Sequence, residues 1–226
     1  MNIAIVTHNY PTLNDPSRGI FLQKEAHLVR EFSNVSVVIP NVFSTFINKQ
    51  YTRTKDIVSE PFQIQKFQYL SFPRRSFPKI TQWSLSKALL TVLKKHSFDI
   101  IHLHALFPCG MAAKTLKQAG HRVVITVHGG DWYSNLNNQD LMTIIEESML
   151  FCDKVITVGK KLEEDIIKKF PSLKNKVQHI PHDINTTKFI PSVSRSTALE
   201  KLNWDTTKLH LLTVANLYKV KGIDLL

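Results

Sequence analysis

One short segment of the chain combines an imidazole, two glycines and a carboxylate directly after an apolar run. Its polar part consists of His128, Gly129, Gly130 and Asp131. Glycines let a backbone turn tightly and approach a ligand closely, and a histidine held at such a turn can hydrogen-bond to that ligand. We therefore predict a binding site built from these four residues. The alternative is an ordinary turn that carries a histidine on the surface.

Two further histidines, His102 and His104, stand two positions apart in another apolar run. We expect only one of them to face the site, and His104 is the better substrate-binding candidate because it lies nearer the carboxyl end of the run. A histidine pair can also bind a metal, but no Asp, Glu or third His lies at ligand spacing along the chain. The sequence therefore predicts no metal site.

A third candidate is an anion site at the start of a helix. Arg18 and Gly19 end the loop 8–19 and precede a helical pattern. Free backbone N–H groups at a helix start, together with a guanidinium, can hold an anion, so we predict that both residues bind substrate. A plain turn is the alternative. The loop lacks the pattern G-x-G-x-x-G, which argues against a dinucleotide-binding unit.

Alternating strands and helices must position these candidates. Short apolar runs predict strands covered on both faces, and they occupy residues 3–6, 35–39, 100–103, 123–127, 155–158 and 177–180. Amphipathic patterns predict helices at 19–32, 82–96 and 160–170. This alternation indicates an α/β fold with a doubly wound parallel sheet. Ligands of such sheets bind at the carboxyl ends of the strands, where the candidates stand.

Length and composition exclude several classes of protein. The 226 residues, 43% of them hydrophobic, suffice for one globular domain and a remainder. Two cysteines, Cys109 and Cys152, are too few for a disulfide scaffold or a four-cysteine zinc module. No targeting segment or membrane-spanning run is visible. We therefore expect a cytoplasmic protein whose contact with a membrane, if any, is peripheral at the inner face.

The positive charge is concentrated in one part of the chain. The net charge is +11, and residues 61–98, here called the basic segment, contain seven Lys and Arg residues and no Asp or Glu. Aromatic residues interleave with these cations, which suits an anionic membrane surface. A solvated basic face is the equally weighted alternative. The chain carries no recognised nucleic-acid-binding signature, so we expect no nucleic-acid partner.

A domain boundary is expected in the last fifth of the chain. Residues 1–190 are predicted to form the first domain, and the polar, Ser- and Thr-rich stretch 191–208 to form a linker. Residues 209–226 then read as one strand and the beginning of a helix. Because a lone strand and half a helix cannot bury their apolar faces, we expect these residues to open a second domain that is truncated.

Five segments, in order, resemble the amino-terminal half of the retaining glycosyltransferases of family four, which have the GT-B fold. They are DIIHLHALFPCGMAA at 99–113, VVITVHGGDW at 123–132, VITVGKKLEEDI at 155–166, IPHDINTTKF at 180–189 and LLTVANLYKVKGIDLL at 211–226. The resemblance covers nearly the whole chain. It implies two Rossmann-like domains that face each other across a cleft.

The resemblance also implies a reaction and roles for particular residues. A sugar would pass from a nucleotide-diphosphate sugar to a polysaccharide or lipid-linked acceptor with retained configuration, without a required metal or other cofactor. His128 would be the catalytic residue that contacts the donor sugar, and Arg18 and Gly19 would face donor phosphates or acceptor. Lys221 would contact the donor diphosphate, and Asn216 stands where the family usually has a second cation.

The chain departs from the family pattern in ways that bear on activity. Asn216 removes one diphosphate cation, Asp183 replaces a usual glycine, and the paired glutamates of the family's donor domain are absent. We therefore expect the chain alone to be inactive, since it lacks most of a donor-binding half. The alternative is a non-catalytic module, derived from a glycosyltransferase, that binds an acceptor or a partner protein.

Overall fold

The computed structural model describes residues 1–43, residues 57–182, and residues 183–226 except 183, 185, 188, 189, 191, 216, 218–220 and 226. It contains a seven-stranded sheet in which every pair of neighbouring strands is parallel. The strands are β1 (Asn2–Val6), β2 (Asn34–Phe43), β3 (Gln63–Leu70), β4 (Ile100–His104), β5 (Val123–Val127), β6 (Lys154–Thr157) and β7 (Val177–His179). Their order is β3-β2-β1-β4-β5-β6-β7. The predicted doubly wound parallel sheet is confirmed.

Helices connect the strands, as the alternating pattern predicts. They are α1 (Ile20–Arg30), α2 (Pro78–Leu93), α3 (Ala113–Gln118), α4 (Gly130–Tyr133), α5 (Gln139–Phe151), α6 (Lys160–Lys169) and α7 (Arg195–Lys201). Short 3-10 turns occupy Pro73–Arg75, Cys109–Ala112, Pro171–Leu173 and Ile223–Leu225. The three predicted helices correspond to α1, α2 and α6. The sequence analysis does not predict the other four.

The sheet is covered on both faces. Along β1, Ala4 packs with Leu89 of α2 in one buried cluster, whereas Ile5 packs with Ala26 of α1 in another. Successive side chains of a strand point to opposite faces, so α1 and α2 lie on opposite sides of the sheet. This arrangement leaves the strand ends, rather than the strand faces, accessible to a ligand.

Strand β3 is the one strand of the sheet that the sequence does not predict. Its sequence, QIQKFQYL, alternates polar and apolar residues, and only Phe67 and Tyr69 are buried. It lies at the edge of the sheet and pairs with β2 alone. An edge strand with one solvated face lacks the continuous apolar run by which the other strands are recognised.

The chain divides into two compact units, Met1–His182 and Asp183–Leu226, so the division falls before residue 190. In the second unit, α7 begins after Ser194, whose hydroxyl accepts a hydrogen bond from the Thr197 N–H at 3.2 Å. Residues 209–215, predicted as a strand, have no strand conformation, and Leu209 and Leu211 are exposed. A strand requires a paired neighbour. The described residues offer none to this segment.

We find no helix in the described part of the chain with the length and apolar character needed to cross a membrane.

Candidate functional site

Several candidate residues lie near the switch point of the sheet, where strands stop being added on one side of β1 and begin to be added on the other. Strands β1 and β4 are neighbours, and from them the sheet is extended on one side by β2 and β3 and on the other by β5, β6 and β7. At such a switch point, the loops that follow the two neighbouring strands run in opposite directions, and ligands of parallel sheets bind in the crevice between those loops. His8 follows β1, His104 ends β4 and His128 follows β5.

The turn after β5 holds His128 in place through the backbone. Gly129 has a φ of 90°, a conformation that strongly favours glycine. Asp131 then accepts hydrogen bonds from the backbone N–H groups of His128 at 2.9 Å and Leu106 at 2.7 Å. One carboxylate thus ties the β5 turn to the loop after β4. Gly130 starts α4 and is exposed.

Four histidines, His102, His104, His128 and His182, form what we call the histidine cluster. His104 Nδ1 lies 3.3 Å from His128 Nε2, and the rings of His128 and His182 stack with centroids 5.7 Å apart. The Phe21 ring of α1 lies against both, with centroid distances of 5.1 Å and 5.2 Å. His128 is therefore one member of a packed group, and His104 is buried behind it.

The expectation that only one of His102 and His104 faces the site is wrong. Their ring centroids are 4.1 Å apart, because residues two positions apart on a strand point to the same face. Both imidazoles also lie near the carboxylate of Glu25, which α1 brings to this face of the sheet. Glu25 Oε1 is 3.6 Å from His102 Nδ1 and 3.4 Å from His104 Nε2.

Burial keeps His102, His104 and His128 neutral. It lowers the pKa of His102 and of His128 to about 4, and that of His104 well below its usual value. Neighbouring imidazoles lower the pKa of His104 and His128 further, since two adjacent rings cannot readily both be charged. At neutral pH these rings act as hydrogen-bond donors and acceptors, or as ligands, rather than as cations. Burial also raises the pKa of Asp131.

The loop after β1 is braced by the two residues that the sequence assigns to an anion site. The Arg18 guanidinium donates to the carbonyl oxygen of His8 at 2.9 Å and to Asn9 Oδ1 at 3.1 Å. Gly19 has a φ of 61°, and a Cβ there would stand 2.3 Å from the carbonyl oxygen of Asn9. The absence of a Cβ at Gly19 therefore allows the end of the loop to pack directly against the backbone of Asn9.

The two predicted donor-phosphate residues belong to the second unit. Lys221 is exposed in a 3-10 turn, and Asn216 lies outside the described residues. Their roles remain predictions.

The site contains residues that reasoning from the sequence missed. Glu25, Phe21 and His182 belong to it, and His8, with a pKa lowered to about 4 by burial and by Arg18, lies next to it. A signal existed for Glu25, which precedes the core residue Ala26 and so borders the apolar stripe of the predicted helix. No spacing rule connects a helix residue to histidines more than 70 positions away.

Comparison with known proteins identifies a family. The model of the family described as Glycosyltransferase Family 4 matches residues 25–188, which is most of the chain. Among curated proteins, none gives a significant match.

Solved structures share the fold at low sequence identity. A sucrose-phosphate synthase from Thermosynechococcus elongatus has a TM-score of 0.60 and 16% identity, over 91% of this chain and 53% of that one. A second structure of sucrose-phosphate synthase from this organism has a TM-score of 0.52 and 15% identity, over 90% and 96% of the two chains. A UDP-GlcNAc 2-epimerase from Methanocaldococcus jannaschii has a TM-score of 0.50 and 10% identity, over 80% and 45%. The chain thus spans about half the length of the first synthase structure.

Proposed function

The chain belongs to glycosyltransferase family 4, and from this premise we propose that it forms the acceptor-side half of a sugar-transferring enzyme. The donor is a nucleotide-diphosphate sugar, the acceptor is a polysaccharide or a lipid-linked glycan, and the configuration of the sugar is retained. The chain spans about half of the synthase structure that it matches. Transfer therefore requires a donor-binding half, and we expect residues 1–226 alone to be inactive.

The observation that carries this proposal is the position of His128. The glycine turn and the Asp131 carboxylate fix its backbone at the carboxyl edge of the sheet, beside the point where the chain reverses. Its imidazole is neutral because burial lowers its pKa to about 4. A neutral imidazole can donate one hydrogen bond and accept another. This supports a role for His128 in orienting a hydroxyl of the donor sugar during transfer.

Residues other than His128 would stabilise the negative charge of the donor phosphates. In this proposal Lys221 contacts the donor diphosphate, where a cation offsets the negative charge that develops on the leaving phosphate. Asn216 contacts the same group through its neutral amide. Arg18 and Gly19, whose loop borders the crevice, contact substrate, and so do His104, Gly129, Gly130 and Asp131. Because His104 is buried, it reaches substrate through its contact with His128.

A lipid-linked acceptor would require the enzyme to work at a membrane surface, and α2 presents a suitable face. Phe77 at its start, Ile80 and Trp83 are 61%, 44% and 60% exposed. The Lys87 ammonium lies 5.2 Å from the centroid of the Trp83 ring, and Lys79 is exposed in the first turn. Exposed aromatic residues beside cations favour the headgroup region of an anionic bilayer. We propose that the basic segment also binds the membrane surface peripherally.

The test is turnover with and without a donor-binding domain. The chain alone, and the chain joined to a family-four carboxyl-terminal domain, are assayed for nucleoside-diphosphate release from a panel of nucleotide sugars. We expect release only from the joined protein. In that protein His128→Asn should lower turnover at least about tenfold, since losing one preorganised hydrogen-bond donor costs that much or more.

The exposed His96, three residues after the end of α2, provides the matched control, and His96→Asn should leave turnover unchanged. Robust turnover by residues 1–226 alone would contradict the need for a donor half. Equal turnover by His128→Asn and the unsubstituted protein would remove His128 from the site. A joined protein that binds acceptor glycan but turns over no donor would favour a non-catalytic acceptor-binding module.

A further inference from the structure

Three side chains from distant parts of the sequence converge on one point beside His128. Glu25 comes from α1, and His102 and His104 come from β4. One ligand atom from each of the three residues lies within 4.8 Å of those from the other two. The carboxylate oxygen Glu25 Oε1 is 3.6 Å from His102 Nδ1 and 3.4 Å from His104 Nε2. A carboxylate and two imidazoles form a common set of zinc ligands.

The spacing of these atoms suits a tetrahedral ion. Zinc–nitrogen and zinc–oxygen bonds of about 2.0–2.1 Å place neighbouring tetrahedral ligand atoms roughly 3.3–3.4 Å apart. The two separations from Glu25 Oε1 are close to this value. Small side-chain movements would therefore bring all three atoms to bonding distance around one ion.

The hydrogen bonds of the two imidazoles leave suitable lone pairs. His102 Nε2 lies 2.7 Å from Thr126 Oγ1, so a proton on Nε2 donates to the hydroxyl and Nδ1 keeps its lone pair. His104 Nδ1 lies 3.3 Å from His128 Nε2, so a proton on Nδ1 leaves the lone pair on His104 Nε2. Metal-bound histidines typically donate their other ring N–H to a neighbouring acceptor in this way.

One of the ligand atoms is otherwise unsatisfied. His104 Nε2 is buried and has no hydrogen-bond partner, although it lies near Glu25 Oε1. A buried polar atom without a partner is costly, and a bound cation would satisfy it.

We propose that Glu25, His102 and His104 bind a divalent transition-metal ion of the zinc type, with water as the fourth ligand. The ion connects α1 to β4 beneath the crevice. It also fixes the proton of His104 on Nδ1, from which His104 donates to His128 Nε2. His128 then carries its own proton on Nδ1. The metal is a positioning device for His128 and takes no part in bond making.

The test measures metal binding and does not require glycosyl transfer. The chain is stripped with a chelator, dialysed, and titrated calorimetrically with ZnCl₂. We expect one equivalent to bind, and Glu25→Gln, which keeps the side-chain shape, to weaken binding at least about tenfold. The control is Glu31→Gln, an exposed glutamate directly after the same helix, which should bind like the unsubstituted chain.

Two spectroscopic measurements locate the ion. Cobalt(II) in place of zinc should give visible absorption typical of tetrahedral coordination. In long-range ¹H–¹⁵N spectra, zinc should shift His102 Nδ1 and His104 Nε2 and leave the exposed His96 unchanged. No equimolar binding, equal affinity of the Glu25→Gln variant, or unshifted ligand nitrogens would each overturn the proposal. If Glu25→Gln fails to fold, the spectra of the unsubstituted chain decide.

Discussion

The histidine cluster and the basic segment use polar groups in opposite ways. In the cluster, packing removes the imidazoles of His102, His104 and His128 from water and keeps them neutral, so that their directed hydrogen bonds determine what they can bind. In the basic segment, cations such as Lys79 and Lys87 remain exposed and act through charge. The histidine cluster depends on contacts between several helices and strands. The basic segment depends on the amino-acid composition of one stretch of chain.

This difference determines how each region should respond to change. A buried hydrogen-bonded group depends on the exact fit of its neighbours, and a substitution there is felt strongly. Exposed charges are screened by salt, and each one contributes only a small free energy. Substitutions around the crevice should therefore change stability, whereas substitutions of exposed residues on α2 should change binding and leave the fold intact.

The largest effect is expected from Gly19→Ala in the loop beside the cluster. The new Cβ would stand 2.3 Å from the carbonyl oxygen of Asn9, at a φ of 61°. A left-handed non-glycine residue costs about 1–2 kcal/mol by itself, and the backbone clash adds to it. We expect the free energy of unfolding to fall by about 3 kcal/mol or more, as measured by urea denaturation.

Gly159→Ala is the matched control, because a Cβ at Gly159 meets no atom within 4 Å and its φ lies in the ordinary negative range. Gly159 is the N-cap of α6, a position that prefers glycine to alanine, so the free energy of unfolding of this variant should fall by no more than about 1 kcal/mol. Similar losses in both variants would show that the loop after β1 is not held by the close approach at Gly19.

A smaller effect is expected from His8→Gln as the pH falls. Burial, with the nearby guanidinium groups of Arg18 and Arg75, lowers the pKa of His8 from 6.5 to about 4. Between these values the unfolded chain binds a proton that the folded chain does not. The stability contributed by His8 is therefore fully present above pH 6.5 and is lost as the pH falls toward 4.

At about 1.4 kcal/mol per pKa unit, the unsubstituted chain should lose about 3 kcal/mol between pH 7 and pH 4 that the His8→Gln variant does not lose. Urea unfolding at pH 7, 5.5 and 4 measures the difference. His96→Gln, at an exposed position, should follow the unsubstituted chain. Parallel pH curves for His8→Gln and the unsubstituted chain would contradict a buried, neutral His8.

The smallest effect concerns the basic segment. Each lysine near an anionic bilayer contributes about 1 kcal/mol to binding, so Lys79→Glu combined with Lys87→Glu should reduce sedimentation with phosphatidylserine vesicles more than tenfold. The helix should stay intact, since a glutamate in its first turn suits the helix dipole. Lys94→Glu with Lys95→Glu changes the same charge after the far end of α2.

That second pair should reduce vesicle binding less than the first, because the exposed aromatic residues lie near the start of the helix. Equal losses in the two pairs would indicate attraction by net charge without an oriented docking face. Absence of binding to anionic vesicles by the unsubstituted chain would contradict peripheral membrane association. Either result would remove an oriented membrane-docking face on α2 from the proposal.

The fold was largely predictable, because the continuous apolar runs of buried parallel strands are a local signal. Six of the seven strands correspond to such runs, and β3 was missed because one of its faces is polar. Helix α5 was also missed, although Asn138 caps it by accepting a hydrogen bond from the Leu141 N–H.

The candidate site was predictable only in part. His128 and its glycines follow a strand directly, so their place at the sheet edge followed from the order of elements. The shared orientation of His102 and His104 also follows from strand geometry. The expectation that only one of them faces the site is therefore wrong. Glu25 could not be assigned, because its approach to β4 depends on how α1 packs across the sheet.

The sequence by itself determined the α/β alternation, the parallel sheet and the location of the basic segment. These follow from periodicity, turn residues and composition, which act over a few positions. Only the tertiary structure decided which polar groups become neighbours and which of them lose contact with water. Packing joins α1, β4 and β5 at one edge of the sheet. The resulting burial keeps His102, His104 and His128 neutral, and the same packing places the Glu25 carboxylate beside the first two.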